Sequence, residues 1–381
     1  MNRFRQIILW SLLGLVCSTS ASQAQWLQND VNNAGNLLDV SFATPAKAWS
    51  CGQSGVYGVI IRTTDAGTTW VGERHNAPIS RINRLQMVDT LTGYAVGDRG
   101  LILKRAWIPG TVGIQWHVLP ERSQDNLSSV YFVNANVGWI AAGRGRMWKT
   151  TDGGDSWNEQ LHSDADFSVI YDIYFADSLH GWTAGFSPSR TTDGGATWSR
   201  MTLPIEREWR GVHFVNPNLG FLVGTTGGIL RTTDGGVRWS KIWSTTGAML
   251  MSVDFVNEQE GYIVGGGVYD GGWIDSSRVL RTTDGGQSWL QEQHPTDVWL
   301  NQIDVLSSDH ILAVGGKSIM IQRSRAVTVD DETVAIPGMK CEHLEEKTYD
   351  VLGRTIPADQ SGPTYRVCQS CGATRCVLLV R

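Results

Sequence analysis

Proline is scarce in this chain, 11 of 381 residues, and charged residues make up only 18%. With 41% hydrophobic residues and a net charge of −5, the composition excludes a disordered chain and supports a sizeable core. Beyond the N-terminus there is no apolar run of the ~18 residues that a membrane helix needs. A basic excess is missing as well, since 32 Lys and Arg face 37 Asp and Glu, which argues against broad binding to a nucleic-acid backbone. His-Glu-x-x-His and Gly-x-Ser-x-Gly do not occur, so neither a zinc peptidase nor an α/β-hydrolase is marked. Cysteine is thin: of six, Cys17 lies near the N-terminus, Cys51 stands alone, and four fall in the last 41 residues.

What is present is glycine, 43 residues, and tryptophan, 17. The first 24 residues read as a secretory signal peptide, with Arg3 and Arg5, an apolar stretch from Ile7 to Cys17, and Ala21-Ser22-Gln23-Ala24 as cleavage site. Removing it takes away two Arg and no acid, which moves the charge from −5 to −7. The mature chain is expected to be exported, to the periplasm, the outer-membrane surface or the extracellular space. There, Cys341, Cys368, Cys371 and Cys376 read first as two disulfides. Zinc is the rival, through Cys368-x-x-Cys371 and Cys341-x-His343.

An internal repeat organises the rest. Thr63-Thr64-Asp65-Ala66-Gly67-Thr68-Thr69-Trp70 returns at Thr150 to Trp157, Thr191 to Trp198, Thr232 to Trp239 and Thr282 to Trp289, with a degenerate copy from Lys104 to Trp116. Trp157, Trp198 and Trp239 are 41 residues apart. Each copy follows an alternating apolar run, such as Leu127 to Phe132, and a short aromatic run ending in Gly, such as Trp182-Thr183-Ala184-Gly185. The alternating run occurs seven times. Four short strands per ~40 residues predict an all-β, seven-bladed β-propeller of four-stranded antiparallel blades over residues 25–326. The seventh unit lacks its outer strand, and Trp26-Leu27-Gln28 is expected to supply it, closing the ring. Residues 327–381 are left as a small, β-rich tail.

The motif Ser/Thr-x-Asp-x-Gly-x-Thr-Trp resembles the Asp box, or BNR repeat. With Gly-Trp before it and Arg-Thr-Thr-Asp-Gly-Gly within it, the chain resembles the photosystem II stability/assembly factor family over roughly residues 26–325. That resemblance implies a non-catalytic propeller that holds a protein client through an arginine-bearing surface. Tyr349-Asp350-Val351-Leu352-Gly353-Arg354, with the ending Val377-Leu378-Leu379-Val380-Arg381, is similar to a type IX secretion sorting domain, although the Tyr-Pro-Asn-Pro opening is missing.

Asp65, Asp152, Asp193, Asp234 and Asp284 are expected to be structural. Asp followed by Gly suits a tight turn, and one carboxylate per blade cannot pair at the ~5–10 Å that glycoside hydrolysis needs. Trp70, Trp157, Trp198, Trp239 and Trp289 are expected to pack between blades with their N–H groups satisfied, and Cys51 to be buried. Arg62, Lys104, Lys149, Arg190, Arg231 and Arg281, just before the boxes, predict a ring of cations, with Gln322 in the seventh blade. This ring either docks carboxylates or, in the preferred reading, pairs with acceptors on the neighbouring blade's turn. Trp273, in the insertion from Val268 to Ser277, is a second candidate for contact with a sugar or protein. The function expected is a monomeric binding or assembly scaffold for a protein client or surface glycan, with no cofactor, metal or nucleic acid. Its rivals are an adhesin and a sialidase-like glycoside hydrolase. For the latter, Arg-Ile-Pro is absent, Arg81-Ile82-Asn83 being the nearest string.

Overall fold

The computed structural model describes residues 25–31, 34–107, 113–120, 123–160, 169–242, 247–268 and 277–324, and the backbone of 344–349, 355–356 and 364–368. The signal-peptide segment, Trp273 with its loop, and Cys341, Cys371 and Cys376 lie outside the described residues, as does the side chain of Cys368. Ala24–Ser324 forms one compact unit. In the tail, Leu344–Tyr349 pairs antiparallel with both Thr355–Ile356 and Thr364–Cys368. No helix among the described residues is long and apolar enough to cross a membrane.

Ala24–Ser324 is seven four-stranded antiparallel sheets, six of them running in chain order from an inner to an outer strand. The inner strands of blades 1 to 7 are Asn36–Thr44, Ile82–Met87, Leu127–Phe132, Ile170–Phe175, Trp209–Phe214, Ala248–Phe255 and Leu300–Ser307. Each lies beside the inner strand of the next blade, and the seventh lies beside the first. The ring closes as expected: Gln25–Asp30 pairs antiparallel with Ile319–Ser324 as the outer strand of blade 7, setting Trp26 opposite Arg323.

The inner strands bury alternate residues on the core side. In blade 4 these are Ile170, Ile173 and Phe175. Every inner strand has a register slip at the same place, between Ile170 and Asp172 here, and blades 1, 6 and 7 have a second one elsewhere. Such a bulge re-aims one side chain per blade, in this case towards the central axis. The second strands, such as Gly138–Ala142, are buried throughout. The leading glycine of this strand is required, because a Cβ on Gly138 would stand 2.5 Å from the ring of Phe132 in its own blade; blades 1 and 7 carry Ala48 and Ile311 there.

Aromatic side chains fill the seams between blades. Trp139 of blade 3 stacks on Phe175 of blade 4, with centroids 3.5 Å apart, and Trp198 of that blade's box meets Phe175 edge-on at 5.8 Å. Tyr94, Phe132 and Trp157 repeat the arrangement one seam earlier; Trp182, Phe214 and Trp239 repeat it one seam later. The edge-on contacts suit the aromatic quadrupole, and the stacked pairs contribute through the large areas they bury.

The terminal strand therefore carries measurable stability. Trp26 is 6% exposed and its indole N–H donates to Glu292 at 2.7 Å. We expect Trp26→Ala to cost about 3–5 kcal/mol in urea unfolding. Leu27→Ala, beside it and 52% exposed, should be near neutral.

Candidate functional site

The box residues form a self-contained turn. In blade 4, Thr191 Oγ1 donates to Asp193 Oδ1 (2.7 Å) and accepts from the Gly195 N–H (2.9 Å). Asp193 also accepts from the Thr197 N–H (2.9 Å) and hydroxyl (2.6 Å). Gly194 and Gly195 both take positive φ, +71° and +89°, which is why two glycines follow the aspartate. Hydrogen bonds from Ser156 to Asp152 and from Thr197 to Asp193 hold these two carboxylates down to about 2. Each box is bonded to the inner hairpin of its own blade, as in Gly194 N–H to the Leu179 carbonyl (2.8 Å), so all boxes share one face of the ring.

The cations before the boxes reach across the seams. Lys149 donates to the Gly194 carbonyl of the next box (2.9 Å), Arg190 to Gly235 (3.4 Å) and Arg231 to Gly285 (2.8 Å), while Lys104 lies 3.8 Å from Asp155. The same carbonyls accept from ring donors: Tyr94 on Gly153 (3.0 Å), Trp139 on Gly194 (3.2 Å) and Trp182 on Gly235 (3.0 Å). Blades 2 and 7 have no box, and there the cation of the preceding blade turns to a glutamate. Arg62 lies 3.4 Å from Glu73; Arg281 lies 2.7 Å from Glu260 and 3.8 Å from Glu292.

Glu73 and Glu292 stand three residues after the box tryptophans Trp70 and Trp289, in the two blades that precede a blade without a box. Where other blades carry the box threonine, blades 2 and 7 carry Arg105 and Arg323, both buried. Glu73 accepts from Arg105 (2.9 Å), Trp116 (2.8 Å) and Trp49 (2.7 Å). Glu292 accepts from Trp26 and lies 3.5 Å from Arg323. Burial opposes ionisation of Glu73, but Arg105 and the two indoles outweigh it and hold the carboxyl below its ordinary range.

One expectation needs correction. Trp70 and Trp239 do donate to a box glycine carbonyl, at 3.1 and 3.2 Å. Trp157, Trp198 and Trp289 have buried N–H groups without an acceptor among the described residues. All three pack edge-on against inner-strand phenylalanines, as Trp239 does, so the packing role holds whether or not the N–H is met. Cys51 is fully buried, and burial pushes its thiol up.

The sequence reading passed over the axis, where the structure concentrates ionisable groups. The bulge position carries Asp39, Arg84, Ser129, Asp172, Gly211, Ser252 and Gln302 from blades 1 to 7. Two residues on stand Ser41, Gln86, Tyr131, Tyr174, His213, Asp254 and Asp304. These side chains stitch the inner edges together, because each inner strand is an edge with unpaired N–H groups. Asp39 accepts from Leu85 N–H (2.7 Å), Ser41 from Met87 (3.1 Å), Gln86 from Phe132 (2.5 Å), Asp172 from Val212 (3.2 Å), Asp254 from Val305 (2.7 Å) and Asp304 from Phe42 (2.5 Å). Arg84 of blade 2 reaches past blade 3 to Asp172 (2.8 Å) and lies 3.8 Å from Asp39, a chord across the channel. Burial pushes Asp39 up to about 7 and Asp304 up to about 6; Asp254, hydrogen-bonded to Asp304, rises well above the carboxylate range. Burial lowers His213 to about 3, so it is neutral. The signal was the polar residue recurring inside otherwise apolar inner strands.

Two expectations follow. Breaking the Glu73 hub by Glu73→Leu leaves the buried Arg105 without its carboxylate, holding only the Thr90 and Leu91 carbonyls, and should cost about 3–5 kcal/mol in chemical unfolding. The axial carboxyls have a pH signature: Asp304 is raised in the folded state, so its contribution is fully present below the unfolded value of 3.8 and is lost as pH rises through about 6. Asp304→Asn keeps an acceptor but has no such loss. Melting curves at pH 4 and pH 7 should show the variant gaining on wild type at the higher pH, and an unchanged gap would refute the shift.

Residues 109–203 and 191–293 match the family model described as Photosynthesis system II assembly factor YCF48. The Photosystem II assembly lipoprotein Ycf48 of Picosynechococcus sp. is 28% identical over 183 residues, 46% of this chain. The match spans about half of that relative's length, 53%. Among solved structures, YCF48 bound to D1 peptide superposes with a TM-score of 0.63 at 18% identity, covering 78% of this chain and 96% of that one. YCF48 from Cyanidioschyzon merolae gives 0.62 at 16%, covering 79% and 99%. At such identities these likenesses speak for the fold. Five boxes, seven closed blades and the family match together make this chain a BNR-repeat propeller that resembles the photosystem II assembly factors.

Proposed function

We propose that the propeller is an exported, non-catalytic scaffold that docks a protein client on the face opposite the Asp boxes. The cations of the box face are half-buried and engaged in seams, which makes them structural first. On the other face, the hairpins between second and third strands of blades 2, 3, 5 and 7 end in tight turns whose first central residue is left-handed. These residues are Arg99 (φ 57°), Arg144 (φ 60°), Thr226 (φ 51°) and Lys317 (φ 54°). Such turns favour Asn, Asp or Gly at that place, and a bulky side chain there costs roughly 1 kcal/mol.

Arginine at two strained apices of adjacent blades is the observation that carries the reading, since strain kept at a surface turn points to use. Arg99 and Arg144 are exposed, and exposed Arg81 flanks them, its carbonyl bonded to the Asp98 N–H (3.0 Å). Together they present guanidinium groups to an acidic or carboxylate-ended segment. The relative solved with D1 peptide makes a peptide client the natural one to test.

Replacing Arg99 and Arg144 together by Asn should raise stability by about 1 kcal/mol in thermal unfolding, because Asn tolerates the left-handed turn. The same variant should bind D1 peptide and an unrelated acidic peptide at least tenfold more weakly, by calorimetry. Unchanged affinity would remove this face from the proposal, and turnover of a sialoside would remove the scaffold.

A further inference from the structure

The axis holds more carboxyl groups than stitching requires. Ser41 and Gln86 accept inner-edge N–H groups as neutral side chains, so a carboxylate is not needed for that task. Four carboxyls, Asp39, Asp172, Asp254 and Asp304, nevertheless face one guanidinium, Arg84, and it lies against Asp172 and Asp39. Beyond the backbone N–H groups they accept from, Asp254 and Asp304 have each other and His213, whose Nδ1 is 3.2 Å from Asp254, and no guanidinium against them among the described residues.

These groups line a cavity of about 390 Å³ within the channel. It runs from the bulge layer to the C-terminal ends of the inner strands, the end that carries the Asp boxes, and the Arg84–Asp172 ion pair forms part of its wall. Its walls are divided. Blades 3, 4 and 5 contribute a row of rings: Tyr131 and Tyr174 with centroids 4.9 Å apart, then Tyr174 and His213, also 4.9 Å apart. Blades 6 and 7 contribute Asp254 and Asp304. Gln302 adds an Oε1 that is buried and takes no hydrogen bond among the described residues, an acceptor lacking a donor. The histidine and carboxylates of the described residues do not form a cluster that could hold a metal ion.

We propose that this cavity binds a guanidinium or primary alkylammonium group, seated between the aromatic row and the Asp254–Asp304 pair. Such a group supplies N–H donors to both carboxylates and to Gln302, and offers its positive face to the rings. The volume is at the size of small-ligand pockets and exceeds one basic head group with its alkyl stem. Binding drives the Asp254–Asp304 pair to full ionisation, so a proton leaves as the cation enters. The charged or titratable groups facing the pair are Asp39, Arg84, Tyr131, Asp172, Tyr174 and His213. The site is distinct from the client-docking face, and its failure would leave that reading intact.

Calorimetry of the full chain with methylguanidine, in two pH 7 buffers of different ionisation enthalpy, tests the proposal on wild type alone. Binding with proton release, and none for the uncharged isostere N-methylurea, is the expected result. Asp304→Asn and Asp254→Asn, which retain an acceptor, should each weaken methylguanidine at least tenfold. A Gly-Arg-Gly tripeptide separates the two sources of the head group: tighter binding than methylguanidine points to a partner's side chain, weaker binding to a free small amine. Equal affinity of wild type and both Asn variants, no proton release, no binding, or displacement by equimolar calcium would each overturn the assignment.

Discussion

A backbone carbonyl at the seam is the constraint from which most of this propeller follows. Each blade is a small sheet that cannot bury both flanks alone, so stability comes from the contact with its neighbours. Inside that contact the box turn presents a glycine carbonyl to the neighbouring blade, and a buried acceptor left unmet is costly. The preceding blade must therefore carry a donor. It does so with Tyr94, with Trp139 and Lys149, with Trp182 and Arg190, and with Arg231. At the closing seam, Asn29 of the terminal strand donates to Gly67 (3.0 Å), so the strand that completes blade 7 also locks it to blade 1.

Where a blade has no box the requirement is inverted, and the solution is too. Without the turn there is no carbonyl, and the donors Trp49 and Arg62 would be stranded. Glu73 supplies the acceptor and is itself neutralised by Arg105, which stands in the place of the missing threonine. Glu292, Arg323 and Trp26 do the same before blade 7. One physical demand, pairing buried donors with acceptors at every seam, has two chemical answers in one ring.

The periodic part of this was legible in the sequence. Box spacing gave the blades, the surplus Trp26 gave the closing strand, and Asp-Gly-Gly gave the turn, because each depends on residues close together in the chain. The rest depends on residues brought together from different blades. The glutamate three places after Trp70 and Trp289 has meaning only beside a blade that lacks a box. The axial residues look unremarkable one blade at a time, since Asp, Ser, Gln, Tyr and His share a position without sharing a type. That the indole N–H groups of Trp157, Trp198 and Trp289 lack an acceptor among the described residues while those of Trp70 and Trp239 find one is not encoded in a motif all five share.

If the seams hold the ring, they should fail together rather than one at a time. Native-state hydrogen exchange of the indole N–H groups of Trp139, Trp182, Trp116 and Trp26 reads four different seams in one experiment. All four should exchange only through global unfolding, with a common opening free energy that matches the one from urea denaturation. A seam whose indole exchanges at a markedly lower free energy would show that blades separate locally, and would contradict the account.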